Sequence, residues 1–81
     1  MAHCAAAFLI LVTESTLQIS EGFYALVQAE RAFSEERWED VIENATKTIQ
    51  HAKEAKRIRP EMAPLAAEME RIAAILGGTS E

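Results

Sequence analysis

The two histidines and the single cysteine are the strongest metal-ligating and nucleophilic side chains of this 81-residue sequence, and His3 and Cys4 are adjacent. With Met1 retained, the terminal amine, two backbone amides and the His3 imidazole would make a square-planar set that suits Cu(II). The small Ala2 favours removal of Met1, which leaves His3 second and out of register. Residues 3–4 therefore read as a chain end, and no metal or cofactor is expected. Cys4 has no basic neighbour to make it a thiolate. A lone cysteine cannot form an internal disulfide, so a reducing cytoplasm is the expected compartment.

His51 lacks a Cys, an Asp or a second His at ligand spacing, and reads as a solvated side chain beside Lys47 and Glu54. The carboxylates of Glu35, Glu36, Glu39, Asp40 and Glu43 are numerous but nearly consecutive. Acids so placed complement the positive end of a helix rather than oppose each other across a cleft. "HAKEAKRIR", residues 51–59, is the one basic stretch: Lys53, Lys56, Arg57 and Arg59 could touch phosphate or an acidic partner. It contains no aromatic residue to stack on bases, and a net charge of -5 opposes nonspecific binding to nucleic acid. No enzyme is expected from this set of groups, and nucleic acid is the secondary reading.

The elements that carry these residues are helical. About half of the residues are apolar (49%) and only three are Gly and two Pro, a globular composition. Phe23, Leu26, Val27, Ala29, Ala32 and Phe33 fall at helical spacing, and a long first helix over 4–34 is expected, bent near Gly22. The alternative is a break at "TEST", residues 13–16, since Ser15 and Gln18 form an S-x-x-Q capping box. A second helix over 37–58 places Trp38, Val41, Ile42, Ala45, Thr48, Ile49 and Ala52 on one face, with Trp38 as core anchor against Phe33 and Ile42. Pro60 ends it. Pro64 opens a third helix over 62–76, with the stripe Met62, Leu65, Ala66, Met69, Ile72, Ala73 and Leu76, stopped by Gly77 and Gly78. The fold expected is a single all-α domain over residues 1–81, an antiparallel hairpin or three-helix bundle with a long first helix and a short tail, 77–81.

From Ala29 to Ile49 the chain resembles one tetratricopeptide repeat. Phe33 stands at the aromatic end of that family's A helix, Ser34 to Arg37 in its link, and Trp38, Glu39, Asp40, Val41, Ile42 and Glu43 at the start of its B helix. Glu36 occupies the usual Gly position, Val41 the small Ala position, and no proline closes the B helix at the usual distance. One hairpin followed by a third helix, "EMERIAAIL", is also similar to the microtubule-interacting-and-trafficking domain. Both resemblances imply a helical protein-binding shape. A single repeat cannot bury its own faces and must find a core elsewhere.

Helix length sharpens that implication. At 1.5 Å per residue the first helix is about 45 Å long and the second about 33 Å, so a second helix running back along the first reaches only to about residue 13. The nine-residue apolar run from Cys4 to Val12 is about half of a membrane span, and no Lys or Arg precedes it to make a signal peptide. Phe8, Leu9, Ile10, Leu11 and Val12 then project from the bundle. At about 25 cal/mol per Å2, burying such a cluster supplies several kcal/mol toward association. The function expected is a protein–protein interaction module, a homodimer joined through its N-terminal helix by Phe8, Leu9, Leu11, Val12 and Ile19, that binds a further protein or peptide. The alternative is a small dimeric regulator that contacts nucleic acid through 51–59.

Overall fold

A computed structural model describes the backbone of residues 2–78 and the side chains of residues 6–78. Three helices follow in order: α1 (Ala2–Ser34), α2 (Trp38–Ile58) and α3 (Ala63–Gly77), with a short 3-10 turn at Pro60–Met62 between the last two. The all-α three-helix architecture is the one expected. α1 and α2 form an antiparallel hairpin, and α3 lies mainly along α2 while touching α1 over a shorter stretch.

α1 is continuous through residues 13–16, so the expected alternative of a break there does not occur. Its polar residues bond back onto their own helix: the Thr13 hydroxyl donates to the Leu9 carbonyl at 2.8 Å and the Ser15 hydroxyl to the Val12 carbonyl at 3.1 Å. Back-bonding of this kind lets Ser and Thr sit within a helix without an orphaned hydroxyl. Ser15 is fully buried, which corrects its reading as a helix cap.

Between α1 and α2 the chain turns in three residues. Arg37 N–H donates to the Ala32 carbonyl at 2.9 Å, and Glu36 takes a left-handed φ of 58°. That conformation costs a side-chain-bearing residue roughly 1–2 kcal/mol, part of which glycine would lose again through its freer unfolded chain. Glu36→Gly is therefore expected to raise the melting temperature by about 4 °C. An unchanged or lower value in a thermal melt contradicts this account of the turn. At the other end Gly78, with φ 71°, donates its N–H to Ala74 and Ile75 carbonyls and stops α3.

The core is made of small side chains. Of the twelve buried apolar residues among those described, eight are alanines: 25, 29, 32, 45, 52, 55, 66 and 73. Met69, Val41, Thr48 and Ser15 are the largest side chains that are fully buried. On α2 the buried set is Val41, Ala45, Thr48, Ala52 and Ala55. At 100° per residue that face lies about 60° from the one centred on Trp38, so the expectation of Trp38 as a core anchor packed on Ile42 is corrected: both residues are exposed. Trp38 does meet Phe33 edge to face, with ring centroids 5.4 Å apart and planes at 82°, but on the surface of the turn. Helices that meet through alanines approach closely, which leaves large side chains no room between them.

Gly22 marks the closest approach. A methyl group built there would lie 2.6 Å from Met69 Cε and 3.3 Å from His51 Cβ. The terminal methyl of Met69, from α3, thus fills the notch that Gly22 leaves in α1. Gly22 therefore has a packing role within a helix that continues through it.

Candidate functional site

Large apolar side chains lie outside this alanine core, and their positions define the candidate surface. Among the described residues thirteen are exposed, and nine of these belong to α1: Phe8, Leu9, Ile10, Leu11, Leu17, Phe23, Tyr24, Val27 and Phe33. Two causes act together. The chain runs past the end of α2 at residues 8–11, as helix length predicts, and below that point α1 turns mostly small residues inward, with Ile19 and Leu26, and leaves Leu17, Phe23, Tyr24 and Val27 outside.

The five residues expected to mediate interaction divide three ways. Phe8, Leu9 and Leu11 are exposed on the overhang and Val12 is half-buried. Ile19 is a correction: it is buried in a cluster with Ala52, Ala55, Ala66 and Met69, and so serves the core of its own chain. Its apolar neighbours on the helix wheel come from α2 and α3, which sequence spacing alone does not reveal.

Phe8 is partly covered from the far end of α2. The Arg59 guanidinium stands over its ring at 5.7 Å from the centroid, within cation–π range. Arg59 also reaches Glu61 at 3.4 Å. The other bases expected to offer a phosphate contact are similarly engaged. Lys56 reaches Glu70 of α3 at 3.3 Å, and Arg57 donates from two nitrogens to Glu54, the first at 2.9 Å. Hydrogen bonding by Arg57 holds the Glu54 carboxyl below the usual carboxylate range, and Arg71 does the same to Glu68. Lys53 is exposed beside Ile49 and Ala67 along the groove between α2 and α3. Residues 51–59 therefore carry less uncompensated positive charge than their sequence implies.

His51 departs from its reading as a solvated side chain. It is half-buried, its Nδ1 lies 2.7 Å from Gln18 Oε1 and 4.0 Å from Glu21 Oε1, and it links α2 to α1. Among the described residues no three His, Cys, Asp or Glu side chains stand together as a metal site. The side chains of His3 and Cys4, and with them the Cu(II) reading, lie outside those described. No described helix is long and apolar enough to cross a membrane.

Comparison with protein-family models, with curated proteins and with solved structures finds no match to this chain. The surface has therefore to be read from its own physics. Its accessible area is 5465 Å2 for 9.0 kDa, against about 4,850 Å2 for a compact monomer of that mass, an excess of about 600 Å2. The radius of gyration, 14.3 Å, likewise exceeds the roughly 12 Å of a compact 81-residue domain. The overhang and the outward-turned residues of α1 lie where a second surface could cover them. Leu17, Tyr24 and Val27 escaped sequence reasoning, although the seven-residue interval from Ile10 to Leu17 to Tyr24 was there to be seen.

Proposed function

We propose that this chain is a non-enzymatic helical interaction module of the cytoplasm that self-associates through α1 and presents the resulting assembly to a protein or peptide partner. One observation carries the proposal: the interior is built from alanines while thirteen large apolar side chains among the described residues stay exposed. A soluble monomer rarely presents apolar surface on that scale unless the surface is used. The apolar overhang at Phe8–Leu11 supplies the part of the interface that helix length demands, and the exposed Phe33, Trp38 and Ile42 at the opposite end offer a separate patch for the heterologous partner. Light scattering tests the self-association, and a monomeric mass at micromolar concentration contradicts it.

The nucleic-acid reading rests on Lys53, Lys56, Arg57 and Arg59. Three of these four have acidic partners within the chain, so no observation favours that reading. A gel shift with duplex or single-stranded probe at low salt is expected to show no band that Lys53→Glu with Arg57→Glu removes.

A further inference from the structure

α1 carries two heptad seams on opposite sides. Ser15, Gly22 and Ala29, seven residues apart, face inward and are buried. Ile10, Leu17 and Tyr24, also seven apart, face outward at 57%, 56% and 69% exposure, with Val27 at 57% three residues beyond Tyr24. Written as heptads, the outward set occupies the a positions. Thr13, Ser20 and Val27 occupy the d positions, and Leu9 and Phe23 widen the seam at g. This is the pattern by which one helix packs against another as knobs into holes. We propose that the outer seam of α1 pairs with the same seam of a second copy of this chain, in parallel and in register from Ile10 to Val27.

This inference rests on the self-association proposed above and deepens it, extending the interface from the overhang some four turns down the helix. Area favours a second copy as the occupant. The chain's accessible area of 5465 Å2 exceeds that of a compact monomer of its mass by about 600 Å2, as a subunit's does when its apolar face is meant for another copy. The a and d layers are apolar apart from three hydroxyls, those of Thr13, Ser20 and Tyr24, and that of Thr13 is already bonded to the Leu9 carbonyl. Arg31, at the next a position, ends the seam where the helix ends.

Charge selects the orientation. Glu14 and Glu21 occupy the e positions. In an antiparallel pair e faces e, and the registers that keep most of the helix paired set Glu14 or Glu21 of one copy against Glu14 or Glu21 of the other. In a parallel pair e faces g, so Glu14 meets Leu9 and Glu21 meets Thr16, with no like charges opposed. Parallel pairing also sets the two overhangs side by side, where each covers the other's Leu9 and Ile10.

The test uses the full chain, by light scattering and by disulfide trapping. Wild type is expected at twice 9.0 kDa, and Leu17→Glu with Tyr24→Glu at the single-chain mass with its helical circular-dichroism signal kept, since both residues are exposed within one chain. In a Cys4→Ser background, Val27→Cys is expected to give a covalent dimer on mild oxidation, because d positions of a parallel pair lie within disulfide reach. A monomeric wild type overturns this seam and the proposed function together. A dimeric wild type whose Leu17→Glu, Tyr24→Glu variant also stays dimeric overturns the seam alone. Failure of Val27→Cys to crosslink overturns the parallel register, and should the double variant lose helicity, the crosslink alone decides.

Discussion

Met69→Ala is expected to lower the free energy of unfolding by about 2–5 kcal/mol at fixed protein concentration, the range for truncating a buried Met. Met69 is 1% exposed and packs with Ile19, Ala52, Ala55 and Ala66. It is the largest fully buried side chain among the described residues, and its neighbours are mostly methyl groups too short to refill the space. Chemical denaturation read by circular dichroism measures the change. A loss well under 1 kcal/mol would mean that the α1, α2 and α3 junction is not the centre of stability described above.

Gly22→Leu attacks the same junction from the other side. A Cβ there already meets Met69 Cε at 2.6 Å and His51 Cβ at 3.3 Å, and the carbonyl of Thr48 at 3.7 Å. Met69 could swing its methyl aside, but His51 Cβ is fixed to the backbone of α2, so further carbons push the helices apart. Overpacking costs about 1–3 kcal/mol, and loss of the His51 to Gln18 hydrogen bond adds to it. Gly22→Ala is a milder probe, since better helix propensity offsets the strain by up to about 1 kcal/mol. Because the two residues share one space, Gly22→Leu with Met69→Ala is expected to cost less than the sum of the single changes. Strict additivity would show that they do not share it.

Much of this fold was legible in the sequence, and the reasons differ between its parts. Helix ends were set by residues that act locally. Pro60 and Pro64 bracket the α2 to α3 link, Gly78 ends α3, and α2 begins with Trp38 after a polar link, all within a residue or two of expectation. Helix faces were another matter. Centring the wheel of α2 on Trp38 assumes that the largest apolar residue points inward, whereas Val41, Ala45, Thr48, Ala52 and Ala55 do. That choice depends on how closely α1 and α3 approach, which residues far along the chain decide.

The same limit explains the candidate surface. The overhang of Phe8, Leu9 and Leu11 follows from helix lengths alone, and the structure leaves all three exposed. Ile19 could not be told apart from them by spacing, because its burial against Ala52, Ala66 and Met69 is a tertiary fact. Likewise Ser15 and Gln18 match a capping box by sequence. Ser15 turns back onto Val12, and Gln18 finds its partner in His51, thirty-three residues away.

Sedimentation equilibrium across a hundredfold dilution decides whether an alanine-cored chain with its large apolar residues outside is half of an assembly. Twice the chain mass of 9.0 kDa is expected at micromolar concentration, giving way to the single chain only on strong dilution. A mass of 9.0 kDa at every concentration, from a fully helical and cooperatively melting chain, would contradict it.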